Sequence, residues 1–487
     1  MVPVLDPRAL SERLVALPTV SRDSNLDLVV WVEGYLATDV MGFPISAAPA
    51  VKFAGPLPPV CDVVVIGGGV IGVMTAWFLA ERGLRVTLCE KGRVAGEQSS
   101  RNWGWVRQQG RDPAELPIMI EAMRIWKNLS QEFGEAFGFR QQGALYMAKT
   151  EVEMAGFAAW LPYAQAHGLD TMMQTRAQVT ARLKGAADLW QGGLITPSDA
   201  RAEPWLAVPL LAGGAVARGA VIVENCAVRT LDLAGGRIAG VITEAGRIAC
   251  THDVLAAGAW SRLFAQAHGV TFPQLSVLAS VAATEPMPDV FAGNAADDDF
   301  AFRRRSDGGY TIAPGAEHDF FIGPDAFGSA ITYLPTLRKD FKSTHFRAVA
   351  PTGFPDFWGT KRRWAADEVT PFEVMRVLNP APNMKTIGRV QDSFASAFPG
   401  LGRPKLRSVW AGMIDVMPDI VPVIDHAGAI PGLVIATGMS GHGFGIGPGV
   451  GRVVADLVMG RDPGHDLSRF RLSRFSDGSK IAPGPSL

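Results

Sequence analysis

Gly67, Gly69 and Gly72, spaced Gly-x-Gly-x-x-Gly, and the carboxylate Glu90 are the residues of this 487-residue sequence whose types and spacing most plainly suit chemistry. The chemistry is the holding of a dinucleotide pyrophosphate. Gly67 permits a tight turn, Gly69 lets the backbone approach the phosphates, and Gly72 lets a helix lie close to a strand. Val70 and Ile71 open that helix, whose free N–H groups and partial positive charge face the diphosphate. Glu90 can accept hydrogen bonds from an adenosine ribose. A carboxylate there requires a free 2′-hydroxyl, which favours FAD or NAD over NADP.

These residues need a strand, a turn, a helix and a second strand to hold them. The β-branched run Val63-Val64-Val65-Ile66 supplies the first strand. A helical pattern follows from Ile71 to Arg82, Gly83 ends it, and Leu84 to Cys89 forms the second buried strand. After Glu90 the loop Lys91 to Trp105 carries small polar residues that suit a segment laid along a cofactor. Its Gln98, Ser99, Ser100 and Asn102 offer donors, and Trp103, Gly104 and Trp105 follow.

Further along, Phe300 to Tyr310 reads as strand, Asp-Gly-Gly turn, strand. In a strand Arg303 and Arg305 share one face and Arg304 takes the other. Near the end, Leu433 to Gly438 is a buried strand. The loop Gly441-His442-Gly443-Phe444-Gly445-Ile446-Gly447 can lie flat against a planar ring. Gly447 and Pro448 are expected to start a helix, with proline at its first position. A helix N-terminus at that place stabilises negative charge on the ring.

Composition narrows the function classes. A chain this long calls for two domains, and 48% hydrophobic with 19% charged residues is globular. A net charge of −1 gives no reason to expect a nucleic-acid partner. The four cysteines, Cys61, Cys89, Cys226 and Cys250, lie in or beside strand-like runs with no metal spacing. They read as buried thiols in a reducing compartment, and no metal site is expected. No run reaches the length of a membrane span, and no secretory signal is evident at the N-terminus.

The segment Ser99-x-x-Asn102-x-Gly104, the run Glu90-Lys91-Gly92 and the run Ala95 to Arg101 resemble the D-amino-acid oxidase superfamily of FAD enzymes, and are most similar in motif to bacterial L-amino-acid deaminases. The resemblance extends with gaps from about Cys61 to Phe475. It implies a mixed α/β chain in which a Rossmann-like FAD-binding domain is interleaved with an α+β substrate domain built on an antiparallel sheet. The expected segments are 58–105, 196–265 and 406–475 for the FAD domain, and 106–195 and 266–405 for the substrate domain, with a tail at 476–487. Residues 1–57 are an extension and linker. Part of that extension, from Leu17 to Leu36, resembles the start of acetylornithine deacetylases, without that family's zinc segments. Residues 1–50 are expected to be dispensable for chemistry, though not necessarily for solubility.

The same resemblance implies site residues. Lys91 falls beside the ribose-binding acid. The residue matching Val228 offers its backbone to the adenine, and Ala257, Gly258 and Trp260 close the strand that passes near the FAD. Gly412 stands where sarcosine oxidases carry a flavin-bonded cysteine, so the FAD is expected to be noncovalent. Gly441, His442, Gly443, Phe444 and Gly445 neighbour the flavin. Relatives carry a carboxylate-gripping arginine near Met413 or Ile414, and this sequence does not. Arg303 is expected to hold the substrate carboxylate instead, with Trp105 and Gln108 as walls. The implied reaction is oxidation of an amine C–N bond, with the imine hydrolysing to a keto acid or aldehyde. Oxidation of a secondary or N-methyl amine, or an electron-transfer subunit of a larger complex, are the alternatives. Oxygen, a quinone or another carrier would take the electrons. Residues 320–383 match a membrane-contacting insertion, here expected to be a solvated, loop-rich one; a cytoplasmic protein is expected, with a peripheral place at the inner membrane as the alternative.

Overall fold

The computed structural model describes residues 44–482. The expected helix after Ser24-Asn25, and the deacetylase-like segment, lie outside them. The glycine unit folds as its sequence dictates. Val63–Ile66 and Val86–Cys89 pair in parallel, joined by the helix Val70–Glu81. They belong to a six-stranded sheet in the order 423–426, 433–437, 252–255, 63–66, 86–89, 221–223, parallel except at its antiparallel edge strand Val423–His426. A parallel strand is covered on both faces, which is why Val63–Ile66 is apolar without alternation. The helix is apolar on all sides for the same reason. It lies between the sheet and the helices Pro204–Ala217 and Gly443–Val458.

The second sheet has ten strands. Its spine is Leu275–Thr284, which pairs antiparallel with Leu406–Val416 from Leu275↔Val416 to Thr284↔Leu406. The latter strand lies in a segment expected for the cofactor domain; its ladder is with this sheet, while Ala411 and Asp415 also accept from Arg101 and from the Ser440 N–H. Its alternation explains how it still serves the cofactor side: Gly412 and Ile414 share one face, and both meet the large cavity, as do Ala279 and Val281 of its partner.

Residues 45–53 are bonded to the body. Arg93, which is buried, donates to the carbonyls of Ala47 and Pro49, and Arg101 donates to that of Ile45. Glu224 accepts from the backbone N–H groups of Lys52 and Phe53. Whatever their part in chemistry, residues 45–49 thus supply acceptors to buried groups of the body. Two truncations, one starting at residue 44 and one at residue 51, isolate the contribution of residues 44–50. A chain starting at residue 51 leaves two buried guanidinium groups short of acceptors, at about 1–3 kcal/mol each. Thermal melting and flavin content of the two truncations check this.

The insertion is more ordered than a loop-rich reading allows. It contains the helix Pro324–Asp340 and the strand Thr344–Arg347. Phe354, Phe372 and Leu378 enter the core that also holds Trp260 and Phe264. Aromatic residues spaced through Pro-rich sequence escape periodicity arguments, yet here they bury against the cofactor domain.

Candidate active site

A cavity of about 730 Å³ runs between the two sheets. At its pyrophosphate end lie Gly67, Gly69, Val70 and Ile71. Gly67 has φ +112°, open to glycine alone in practice. A Cβ on Gly72 would stand 2.0 Å from the Gly67 carbonyl oxygen, so this glycine lets the turn close over the helix rather than lining the cavity. Ser99 Oγ accepts the Val70 N–H at 2.9 Å. Its hydroxyl thus satisfies the first turn of the helix and keeps its own proton to donate.

At the adenosine end, Glu90 accepts from the backbone N–H groups of Gly68 at 2.6 Å and Gly92 at 2.7 Å. Each oxygen keeps acceptor capacity for a hydroxyl. Burial pushes its carboxyl up to about 6, against the pull of Lys91 and the two N–H groups. Lys91 is held by Glu97 and the carbonyls of Met375 and Arg376, and it lies 4.4 Å from the Trp260 ring centroid. Trp260 donates to Glu97. Lys91 and Trp260 therefore tie the insertion across this end, and Val228, Ala257 and Gly258 complete the wall.

Between the ends, the loop after Glu90 meets the cavity through Gln98, Ser99, Asn102 and Trp103. Three of the expected contacts stand differently. Asn102 spends its side chain within the loop, donating to the carbonyls of Gln98 and Ser99 and accepting from Gly104. Ser100 is wholly buried behind the wall. Gly104, at φ +80°, passes over Arg303, where a Cβ would lie 2.8 Å from the guanidinium Nε. Opposite, Gly412, Gly441, His442, Gly443 and Phe444 form a flat strip of wall, while Gly445 backs onto Trp105 and Val106. The helix here begins at Gly443, not at Pro448. Its glycines serve close packing: Gly447 sits on Val70, Gly449 on Ile118 and Gly451 on Met74.

Arg303 does not meet the cavity. Its strand pleats as expected, but the buried face looks onto Glu203 rather than into the site. Arg303 is 0% exposed and is bonded to Glu203 at 2.9 Å, to Thr311 at 3.1 Å and to the Trp103 carbonyl at 2.5 Å. With its donors spent inside the wall, it cannot grip a substrate carboxylate. Gln108 is likewise turned away, donating to Asp199 and Ser198. Trp105 does line the cavity, edge-on to Trp103 at 5.5 Å and to Tyr146 at 5.9 Å.

Two other arginines line this end, Arg107 and Arg111. Arg107 lies 5.6 Å from the Tyr146 ring centroid. Arg111 is buried, donates through Nη2 to the His442 carbonyl at 3.3 Å, and has Nη1 without a hydrogen bond. Burial, followed by the charge of Arg107, lowers it to about 10, so it remains a cation at neutral pH. Glu115 is 0% exposed, with one oxygen 3.1 Å from His442 Nδ1 and 3.6 Å from Arg111 Nη1. Its carboxyl lies below the usual range: burial opposes this, and His442 and Arg111 outweigh it. His442 is held down to about 4, first by burial and then by Arg111, and is neutral at pH 7. The spacing Arg107-x-x-x-Arg111-x-x-x-Glu115 was the sequence signal for this cluster.

The features fit an FAD. A side-chain-free turn ends at a helix N-terminus, a carboxylate waits at the far end of the second strand, and a glycine-rich strip with no nucleophile on Gly412 flanks the middle. Comparisons with known proteins agree. The family described as FAD dependent oxidoreductase is matched over residues 62–457. Sarcosine oxidase subunit beta of Rhizobium meliloti (strain 1021) is 25% identical over 441 residues, covering 89% of this chain and 92% of that protein. Against mouse mitochondrial sarcosine dehydrogenase, 24% identical, the chain spans only 42% of the relative's length. Among solved structures, L-amino acid deaminase from Proteus myxofaciens in complex with anthranilate superposes with a TM-score of 0.83 at 31% identity, over 89% of this chain and 97% of that one. The L-amino acid deaminase from Proteus vulgaris gives 0.82 at 30%, over 88% and 100%.

Proposed function

The chain belongs to the family of FAD-dependent oxidoreductases, and from that premise we propose that it oxidises the C–N bond of an α-amino acid whose carboxylate is held by Arg107 and Arg111. FAD is its cofactor, and amine or amino-acid oxidation is the chemistry of its relatives. When bound, the flavin supplies a hydride acceptor at N5, and the imine left behind hydrolyses in water to a keto acid and ammonia.

The observation that carries this reading is that two arginines, Arg107 and Arg111, line the cavity. Guanidinium groups at the wall suit a substrate carboxylate through charge-assisted hydrogen bonds. Arg107 adds a second cation beside Trp105 and Tyr146, which supply apolar walls and exclude water. The likeness to L-amino acid deaminases at 31% and 30% identity supports the L-enantiomer. The likeness to sarcosine oxidase subunit beta favours a second reading, an N-methyl amino acid. Both keep the carboxylate.

Anaerobic bleaching of the flavin band tests this against L-amino acids, D-amino acids, N-methyl amino acids and carboxylate-free amines. Bleaching by carboxylate-free amines alone would overturn it. Arg107→Ala is expected to lower kcat/KM by about 30-fold to a few thousandfold, the 2–5 kcal/mol of a truncated buried charge partner. Carboxylate-free amines should be unaffected, which steady-state kinetics on both substrate classes will check.

We also read the insertion as a contact with a membrane surface. No helix among the described residues is long and apolar enough to cross one. Yet Phe327, Ile331, Phe341 and Trp358 are 66%, 90%, 65% and 54% exposed. The exposed Arg338, Lys339 and Lys342 lie on the same segment. Apolar side chains rimmed by cations suit an anionic bilayer surface. Co-sedimentation with anionic vesicles should be strong for the native protein and weak for Phe327→Asp with Ile331→Asp, with turnover on a soluble acceptor unchanged.

A further inference from the structure

His442 and Glu115 form a pair that the binding of a carboxylate does not need. Glu115 comes from the approach to the helix Leu116–Phe133, and His442 from the residue before the helix Gly443–Val458. The two helices pack together and bring the side chains to 3.1 Å. Glu115 is fully buried, and its other oxygen has no hydrogen bond. A buried carboxylate facing a neutral imidazole fixes the tautomer: the proton sits on Nδ1 and is donated to Glu115. Nε2 then carries a bare lone pair. No described residue hydrogen-bonds to it, and His442 lines the cavity.

Position gives that lone pair its use. Arg111 Nη2 bonds the His442 carbonyl, so the imidazole stands beside the carboxylate anchor. In an α-amino acid the amine is one carbon from the carboxylate. A substrate held by Arg107 and Arg111 therefore presents its amine within reach of His442. The amine must shed a proton first, because an ammonium has no lone pair with which to form the C=N bond.

We propose that His442 Nε2 takes a proton from the substrate ammonium, with Glu115 as the residue that orients the imidazole and stabilises its cation. The N–H bond of the ammonium breaks, an N–H bond forms at Nε2, and the amine keeps the electron pair. That pair later forms the C=N bond as hydride leaves the α-carbon, and the imidazolium returns its proton to solvent. Arrival of the carboxylate enables the transfer. The charged groups facing His442 are Arg111, Arg107 and Glu115. The two arginines disfavour a charged imidazole until the carboxylate screens them, and Glu115 favours it throughout. The assignment rests on the amino-acid reading above.

The closing experiment uses the holoenzyme. Calorimetric binding of 2-aminoisobutyrate, an α-amino acid with no α-hydrogen to lose, is run at pH 7.5 in buffers of different ionisation enthalpy. The proposal expects no net proton release, because His442 retains the proton within the complex. Release of one proton per bound ligand would mean that the site selects the free amine from solution, and would overturn it. The rate of anaerobic flavin bleaching by an amino acid is then followed from pH 6 to 10. His442→Asn should lose about 10²–10⁴-fold near pH 7 and recover most of it at alkaline pH, where the amine is already neutral. Glu115→Gln should fall between the two. An equal loss at every pH, or no loss, would also overturn the proposal. If no carboxylate-bearing substrate bleaches the native enzyme at any pH, the amino-acid reading itself fails, a result distinct from a changed pH profile.

Discussion

Arg303→Ala is expected to cost about 3–5 kcal/mol of folding stability while leaving the kcat/KM of the surviving folded enzyme within a few fold. The magnitude is that of removing one partner from a buried ion pair. Glu203 is 1% exposed and depends on Arg303 at 2.9 Å, with Arg201 only at 3.7 Å and Ser306 donating its backbone and hydroxyl. Arg303 is the largest favourable influence keeping the Glu203 carboxyl below its ordinary range against burial. Without it, a carboxylate is stranded in the wall. The Trp103 carbonyl also loses its donor, which loosens the loop that borders the cavity. Denaturant unfolding should show the loss, and steady-state kinetics at low temperature should not. Arg303→Met combined with Glu203→Gln should recover much of the stability, because an apolar or neutral pair of similar volume needs no compensating charge. A stable Arg303→Ala protein with a steeply raised KM for amino acids would return Arg303 to the substrate site.

This case marks where sequence reading stops. Arg303 and Arg305 do lie together, both over the Trp205 ring, while Arg304 lies over Tyr310. What Arg303 meets is decided by Glu203, about a hundred residues away, and by Trp103, about two hundred away. No local period carries that information. The glycine unit was legible for the opposite reason. Its demands are made on the backbone at fixed short spacing, and only one residue type meets them. The loop at 441–447 lies between these cases. Its glycines announced close approach, but Gly445 approaches Trp105 and Val106, and Gly447 approaches Val70. Proline at 448 drew the expected helix start too late: the helix begins at Gly443 and carries Pro448 within it. The Arg111, Glu115 and His442 cluster joins residues more than three hundred apart, so only its i, i+4 half was visible in advance.

Gly72→Ala is expected to abolish flavin binding, a larger effect than any substitution of a polar residue in the cavity. The added methyl would lie 2.0 Å from the Gly67 carbonyl oxygen and 3.2 Å from Val65 Cγ1. The first contact is with backbone, so no rotamer relieves it. Gly67 cannot retreat, because its N–H is bonded to the Cys89 carbonyl at 2.9 Å and its far side already abuts Ala256 and Ala257. The helix must therefore lift from the strand, and its N-terminal N–H groups move away from where the pyrophosphate lies. Overpacking of this kind costs about 1–3 kcal/mol or more in itself. Gly69→Ala makes the contrast. There the methyl meets only Ser99 Oγ, at 3.2 Å. The apoprotein should fold, and the methyl should stand between the backbone and the phosphates, weakening FAD rather than the fold. Flavin absorbance of the purified proteins, followed by titration of the apoproteins with FAD, separates the two. Gly72→Ala should be colourless and fail to reconstitute, whereas Gly69→Ala should take up FAD only at raised concentration. Stoichiometric FAD in purified Gly72→Ala would mean that the turn closes differently from the geometry described for Gly67 and Gly72.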